Sequence, residues 1–205
     1  MKKILKITGI ILLVSIVYYV WHVHFNFRFE EISENKVYKS ALIDPSKLEK
    51  FLVNNNIKTV VNLLDPGVQD ALNPAKQKDI TAEDNAIKKI NKENNLDIQH
   101  INIPSGQVPT KKTLEKFFTV LDDKKNYPVL IHCYHGTGRA AIYSALYRVE
   151  YENWKNKDAR AKTRVVVEAL GYRSSFSDGK VKGDFLMNYK PRSVGENSTI
   201  NTMDK

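Results

Sequence analysis

The segment from residue 129 to residue 151 constrains the fold of this chain more than any other part of the sequence. Val129–His132 is apolar until its last residue, which is typical of a strand buried on both faces of a sheet. A short loop containing Gly136 and Gly138 follows, and Ala140–Tyr151 is predicted to be a helix. Glycines let successive backbone N–H groups turn toward one anion, and a helix adds its positive amino-terminal end. The segment therefore predicts a strand, a phosphate-binding loop and a helix in an α/β fold.

The only cysteine of the chain, Cys133, begins this loop, and Arg139 ends it. A thiol in such a loop is favoured as the thiolate, which is its nucleophilic form. Arg139 offers a planar fork of donors that can hold two phosphate oxygens. We therefore predict catalytic roles for Cys133 and Arg139, with His132 orienting or polarising the cysteine. The residues between them are predicted to bind the substrate: Tyr134, His135, Gly136, Thr137 and Gly138.

The rest of the chain alternates apolar strands with amphipathic helices. This pattern predicts the α/β class, with a central, mainly parallel sheet covered by helices on both faces. The predicted strands are Ile57–Leu64 and Asp97–Ile103. Predicted helices follow Asp44-Pro45, the capping-box pattern Thr81–Asp84, and Thr110, and a further helix, Lys157–Leu170, is predicted to end at Gly171.

An apolar run without charged side chains, Ile7–Val23, lies near the amino terminus. Its 17 residues are at the lower limit for a membrane-spanning helix. We predict a basic flank (1–6), an uncleaved transmembrane anchor (7–23), one domain (28–190) and a disordered tail (191–205). A cleaved signal peptide or a buried helix is the alternative, although the large residues after the run do not suit signal peptidase. The three flanking lysines predict a cytoplasmic amino terminus and a periplasmic or otherwise extracytoplasmic domain.

The net charge of +9 suits an anionic partner, yet it is also typical of an ordinary basic surface. The lysines are spread along the chain without a nucleic-acid motif, so no nucleic-acid partner is expected. A single cysteine excludes an intramolecular disulfide and a cysteine-rich zinc site.

The loop pattern of His-Cys, five residues and then Arg resembles the signature of the cysteine-dependent tyrosine and dual-specificity phosphatases. The resemblance extends from about residue 36 to residue 172, through Val37–Ser40, Ile57–Leu63 and Tyr127–Ile131. It is closest to small bacterial dual-specificity members. The family implies a phosphocysteine intermediate, its hydrolysis by water in a second step, and neither metal nor cofactor. Rhodanese-type sulfurtransferases are a minor alternative, because their loop is typically shorter.

Two helper groups of that family are missing from the pattern. Ala140 stands where relatives usually carry a Ser or Thr that assists departure of the thiolate. The loop 104–109, where relatives carry the general acid, has no carboxylate, although Gln107 could position water. Asp65 or Asp70 could replace the acid, with His135 as a further candidate, although Asp65 in an Asp-Pro-Gly sequence more often forms a turn.

The sequence therefore predicts a phosphatase for phosphotyrosine or similar phosphate monoesters, on a phosphorylated protein or a small molecule. Because a phenol leaves more easily than an alkyl alcohol, aryl esters should best tolerate the loss of an acid. The alternatives are a phosphate-binding pseudophosphatase and a phosphoinositide or inositol phosphate phosphatase.

Overall fold

The computed structural model describes residues 2–67, 74 and 76–192, which divide into two compact units after Ala140. The first unit contains a long amino-terminal helix, five strands and three further helices, with a 3-10 turn at Lys124–Asn126. In chain order they are α1 (Lys2–His24), β1 (Glu30–Ser33), β2 (Val37–Ser40), α2 (Leu48–Asn54), β3 (Thr59–Asn62), α3 (Gln77–Asn94), β4 (Gln99–Asn102), α4 (Lys111–Asp122) and β5 (Val129–His132).

Helix α5 (Arg139–Tyr151) begins at the end of the first unit. The second unit also holds three short helices, α6 (Asn156–Ala161), α7 (Val165–Ala169) and α8 (Val181–Asn188). The predicted boundaries of the domain remain predictions, and the predicted tail falls almost wholly outside the described residues.

The five strands form one sheet in the order β1-β2-β5-β3-β4. Only the pairing of β1 with β2 is antiparallel, which confirms the predicted α/β class with a mainly parallel sheet. The register places the last residues of the four parallel strands side by side at one edge of the sheet. We call this set the polar row: Ser40, His132, Asn62 and Asn102.

Strands β3 and β5 are buried at every position, so both faces of the sheet are covered at its centre. One face of the sheet packs against α2 and α3, and alternate residues of the strands contribute to the core cluster on this face. Its members include Tyr38, Val60 and Leu130 from the strands, with Leu48, Leu52, Ile87 and Ile90 from the helices. Successive strand residues point to opposite faces, so His132, two positions after Leu130, lies on this same face.

The predicted start of α3 at the Thr81–Asp84 capping box is wrong. The helix begins at Gln77, and the Asp79 carboxylate accepts a hydrogen bond from the Lys76 backbone N–H at 2.8 Å. Thr81 lies inside the helix and donates from its hydroxyl to the Gln77 carbonyl at 3.0 Å. The pattern at Thr81 gave the wrong start because Asp79 caps an earlier turn of the same helix.

The helix after Asp44-Pro45 also begins later than predicted. Asp44 accepts from both the backbone N–H and the hydroxyl of Ser46, at 2.9 and 2.6 Å, and so forms a turn. Helix α2 starts only at Leu48, with Lys47 as its N-cap residue. The side chain of Asp44 therefore closes a turn before the helix instead of capping the helix itself.

The single predicted helix Lys157–Leu170 is wrong, because the segment forms α6 and α7 with a break between them. At the break the Thr163 hydroxyl donates to the Arg160 carbonyl at 2.7 Å, and Arg164 has φ −145°, outside the helical region. The predicted stop at Gly171 is confirmed, since its φ of +78° favours glycine.

Within the described residues, the segment Lys6–His24 of α1 is the one helix long and apolar enough to cross a membrane. Its 19 residues have a mean hydropathy of 1.7 and are not buried against the rest of the protein. Composition and exposure agree with the predicted span, 7–23.

Candidate active site

The cysteine loop, residues 133–138, leaves the carboxyl end of β5, the strand between β2 and β3. Cys133 follows the polar row directly, is buried and is a free thiol. Helix α5 begins at Arg139, so the loop connects the edge of the sheet to the amino-terminal end of a helix. The predicted order of strand, loop and helix is therefore present.

The outer side of the cysteine loop is held by two donors from the chain that precedes β3. The Tyr134 carbonyl accepts from the Leu42 backbone N–H at 3.1 Å. The His135 carbonyl accepts from Nη1 of Arg28 at 3.0 Å. Carbonyl and N–H groups of one trans peptide point in opposite directions, so the N–H groups of His135 and Gly136 point away from these donors. This arrangement turns two successive donors toward the other side of the loop, as an anion site requires.

Gly136 fits where no other residue would. Its φ is +70°, and a Cβ atom there would lie 2.6 Å from the Ala41 nitrogen and 2.8 Å from the Ser40 carbonyl oxygen. The loop thus packs directly on the backbone at the end of β2. This close approach and the positive φ explain why the sequence has glycine at position 136.

Arg139 joins the cysteine loop to two neighbouring segments. Its buried side chain donates from Nη1 to the Leu63 carbonyl at 2.6 Å and to the Ser105 carbonyl at 2.8 Å. Leu63 follows β3, and Ser105 belongs to the loop after β4, where the family pattern expects a general acid. The structure therefore brings the loop 104–109 to the site, and Arg139 has a structural role besides its predicted one.

A buried carboxylate lies behind the cysteine loop, on α3. Oε2 of Glu83 is within hydrogen-bond distance of three groups: Nε2 of His132 at 3.0 Å, Nε2 of His100 at 3.0 Å and Nδ2 of Asn62 at 2.6 Å. Nδ1 of His100 also lies 3.3 Å from Oδ1 of Asp84. Three strands, β3, β4 and β5, thus direct side chains to one oxygen of α3.

The charges of this cluster follow from its contacts. Burial alone would raise the pKa of Glu83, but its electrostatic interaction with His132 and the hydrogen bonds from His100 and His132 lower the pKa to about 2. Burial would lower the pKa of His100, but the hydrogen bonds and charges of Glu83 and Asp84 raise it. Glu83 is therefore ionised at neutral pH, and His100 is favoured as the cation.

Glu83, His100 and Asn62 were not predicted from the sequence as site residues. One signal was present, because Glu83 occupies the apolar stripe of α3 together with Ile80, Ile87 and Ile90, all of which are buried. A carboxylate on a buried helix face needs a partner. His100 and Asn62 gave no such signal, since their meeting depends on the register of β3 and β4.

The other predicted residues of the cysteine loop differ in their exposure. Tyr134 is half-buried and packs against Leu64 and Ile80, whereas His135 is exposed with its ring 4.8 Å from that of Tyr134. Thr137 and Gly138 are half-buried in the loop. Tyr134 is thus partly a packing residue, and His135 lies at the rim.

Of the residues predicted to act as general acid or to position water, the structure describes Asp65 and Gln107. Oδ1 of Asp65 accepts from the Gly67 backbone N–H at 3.0 Å, so this residue forms the turn that the Asp-Pro-Gly sequence favours. Asp70 lies outside the described residues. Gln107 lies two positions after Ser105, on the loop that contacts Arg139. In the described part of the chain, no group of three His, Cys, Asp or Glu side chains is arranged to hold a metal ion.

Comparison with known families gives one match that covers most of the chain. The family model described as "DSP-PTPase phosphatase fused to NAD+ Kinase" matches residues 27–177, which include both the cysteine loop and Glu83. Protein tyrosine phosphatase PRL-1 of Trypanosoma cruzi (strain CL Brener) is 33% identical over 94 residues. That alignment covers 42% of this chain and 48% of the relative, so the chain spans about half the length of the curated protein it matches.

Solved structures with the same fold are more distant in sequence. The core catalytic domain of the PP-IP phosphatase SIW14 from S. cerevisiae has a TM-score of 0.55 at 16% identity, over 79% of this chain and 85% of that chain. PTPMT1 has a TM-score of 0.54 at 17% identity, over 78% and 91%. P. aeruginosa TpbA in complex with pTyr has a TM-score of 0.51 at 19% identity, over 79% and 89%. At these identities the similarity establishes the fold alone.

Proposed function

Because this chain belongs to the DSP-PTPase family of phosphatases, we propose that it hydrolyses aryl phosphate monoesters such as phosphotyrosine through a phosphocysteine intermediate on Cys133. The observation that carries the proposal is the orientation of the cysteine loop. The Tyr134 and His135 carbonyls accept hydrogen bonds from Leu42 and Arg28, so the N–H groups of the same peptides point to the other side of the loop. Cys133 begins this loop, and the loop leads into the amino-terminal end of α5.

In the first step the Cys133 thiolate attacks phosphorus, an S–P bond forms, and the bond to the leaving oxygen breaks. The N–H groups of His135 and Gly136 and the guanidinium of Arg139 stabilise the negative charge on the phosphoryl oxygens. Arg139 is held by the Leu63 and Ser105 carbonyls, so its fork is oriented before the substrate binds. Pre-orientation of this kind lowers the barrier because no reorganisation is needed during the reaction.

In the second step a water molecule attacks phosphorus, the S–P bond breaks, and the thiolate is regenerated as dihydrogen phosphate leaves with both protons of the water. Ala140, which is fully buried, has no hydroxyl to donate to the departing sulfur. Hydrolysis of the phosphoenzyme is therefore proposed to be slower than its formation. Gln107, on the loop that contacts Arg139, is the proposed residue for positioning the water.

The leaving group decides which esters the enzyme can use. A positioned general acid contributes about a hundredfold to ten-thousandfold in rate. The loop 104–109 carries no carboxylate, and Asp65 is engaged with the Gly67 backbone. A phenolate needs little protonation, so aryl esters are the proposed substrate class.

The test is p-nitrophenyl phosphate hydrolysis by the purified chain beside a Cys133→Ser variant. Steady turnover that is lost in the variant supports the enzyme, and a chain inert with this substrate would contradict it. A single burst of about one p-nitrophenolate per chain, followed by a slow phase, would locate the slow step at phosphoenzyme hydrolysis. A burst with no further turnover supports the second candidate, a phosphate-binding pseudophosphatase, which the buried Ala140 favours.

An inositol phosphate substrate is the third candidate. Among the structural neighbours, SIW14 is named a PP-IP phosphatase and PTPMT1 was solved in complex with PI(5)P. The cysteine loop offers Tyr134, His135 and Thr137 rather than lysines for a multiply charged headgroup. A higher kcat/KM for phosphotyrosine peptides than for these lipids or inositol phosphates is the expected result.

We also propose that α1 anchors the enzyme in a membrane, with the catalytic domain on the extracytoplasmic side. The exposed, apolar segment Lys6–His24 and the three lysines at its amino-terminal side support this topology. An alkaline phosphatase fused to the carboxyl terminus in a bacterial host should be active. Inactivity of that fusion, with activity of a cytoplasmic reporter in its place, would reverse the assigned orientation.

A further inference from the structure

The Glu83–His100 pair lies behind the cysteine loop, yet no step of the proposed reaction uses it. Glu83 is only 1% exposed, and a carboxylate buried to that degree is costly unless it is paired. The three donors on its Oε2 atom come from three different strands, and two of these donors belong to the polar row. One of the three donors is His132, the residue directly before the nucleophile.

The positions of the protons follow from the contacts. An ionised carboxylate only accepts hydrogen bonds, so His132 and His100 must each carry a proton on Nε2. Nδ1 of His100 faces a second carboxylate, Asp84, at 3.3 Å. The two ring nitrogens of His100 thus face two carboxylates, an arrangement that favours the imidazolium cation and balances the charge of Glu83.

His132 differs from His100 in its second nitrogen. Nδ1 of His132 is buried and has no hydrogen-bond partner among the described residues. With Nε2 held by Glu83, this Nδ1 atom is the nitrogen left for the cysteine loop. The Glu83 carboxylate thus determines that Nε2 of His132 carries the proton and that Nδ1 is the nitrogen available to the cysteine loop.

We propose that Glu83 and His100 are positioning residues of this phosphatase: the Glu83 carboxylate, balanced by protonated His100, fixes the tautomer and ring orientation of His132 beside Cys133. The proposal rests on the proposed function of the cysteine loop and adds two residues that act through His132 without touching the substrate. It also predicts how the activity depends on pH.

The balance of charge matters because the reaction gathers negative charge. A thiolate and a phosphate dianion meet at the loop, and an uncompensated buried carboxylate nearby would disfavour both. The groups that face the pair are His132 and Asn62 on Glu83, and Asp84 on His100, with Lys88 2.6 Å from Asp84 at the surface. When His100 loses its proton at alkaline pH, Glu83 keeps its charge and the rate should fall.

The experiment measures kcat and KM for p-nitrophenyl phosphate over a range of pH with the full chain in detergent. Glu83→Gln keeps the shape and removes the charge, and we expect kcat to fall about tenfold to a hundredfold with KM within about twofold. His100→Gln should lower kcat and abolish the alkaline fall in rate. Glu93→Gln, an exposed change on the same helix, is the matched control and should behave as wild type.

A second measurement follows the protonation of His100 itself by NMR titration, assigned with His100→Gln. The pKa of His100 should lie above its ordinary value, and Asp84→Asn should lower it. Asp84 contacts His100 without contacting His132, so the same variant should move the alkaline fall in rate to lower pH. Support by hydrogen bonding that is merely structural would leave that pH profile unchanged.

Activity of wild type together with its loss in Cys133→Ser establishes the proposed function independently of the pair. Given that activity, a folded Glu83→Gln variant with wild-type kcat and pH profile would overturn the positioning role. Should Glu83→Gln fail to fold, Asp84→Asn decides: a lowered pKa of His100 with an unmoved alkaline limb also overturns the proposal.

Discussion

Replacing Gly136 with alanine tests the geometry of the cysteine loop most directly. The new Cβ would lie 2.6 Å from the Ala41 nitrogen, 2.7 Å from the Ser40 carbonyl carbon and 2.8 Å from its oxygen. All three atoms are backbone atoms at the end of β2, so the loop has to move. The φ of +70° adds the strain that a side chain meets in the left-handed region.

The magnitude follows from these two contributions. Left-handed strain costs about 1 to 3 kcal/mol, and overpacking costs about 1 to 3 kcal/mol more. Together they destabilise the protein by about 2 to 6 kcal/mol, which lowers Tm by about 4 to 24 °C for a chain of this size. A displacement near 1 Å at the reacting atoms should also reduce kcat/KM by about a hundredfold.

Two other glycines provide matched controls. Gly171 has φ +78°, and a Cβ atom there would meet nothing within 4 Å, so Gly171→Ala isolates the strain. Gly106 has no positive φ, and its Cβ would meet only the Val108 oxygen at 3.7 Å, so Gly106→Ala should change little. Thermal unfolding and p-nitrophenyl phosphate kinetics of all three variants give the comparison. A Gly136→Ala variant no less stable than Gly171→Ala would refute the close approach to β2.

Three further outcomes are expected. Ala140→Ser should raise the steady-state rate of p-nitrophenolate release without changing the burst in stopped-flow, because a hydroxyl can assist departure of the thiolate from the phosphoenzyme. An equal rise in the burst rate and the steady-state rate would show that the hydroxyl acts on a step other than phosphoenzyme hydrolysis. Arg139→Lys should lower Tm and should lower kcat/KM at least about a hundredfold, because an ammonium cannot reproduce the planar guanidinium that donates to the Leu63 and Ser105 carbonyls. A variant with normal Tm would refute the structural role of Arg139. Because the pKa of Glu83 is lowered from 4.5 to about 2, its stabilisation is complete above about pH 4.5 and is lost as pH falls toward about 2. Urea unfolding should therefore show a steeper acid loss of stability for wild type than for Glu83→Gln, and parallel curves would contradict the lowered pKa.

The core of the site could be predicted from the sequence because its signals are local. Strand β5 has the predicted bounds Val129–His132, and the helix after the loop begins one residue before the predicted Ala140. Gly136 marked a turn, and the structure supplies its reason in the Ser40–Ala41 backbone. A continuous apolar run, the glycines of a loop and the helical spacing of apolar residues are all properties of residues close together in the chain, so they can be read from a single sequence.

Helix boundaries were less predictable where several residues could serve as caps. Asp44 and Thr81 both fit a capping pattern, yet Asp44 closes a turn and Thr81 lies inside α3. The alternative cap at Asp79 is as good locally, and packing of Ile80 into the core favours the longer helix. Competing local patterns of similar free energy are decided by burial.

Short-range patterns were sufficient to define the strand, loop and helix around Cys133, the apolar amino-terminal segment and the α/β class, because each depends on residues close together in the chain. The meeting of Glu83 with His100 and His132, which lie 17 and 49 positions away, became visible only in three dimensions. Their contact requires β3, β4 and β5 to pair in one register and α3 to pack across them. A shift of one residue would turn His132 to the opposite face of the sheet and separate it from Glu83.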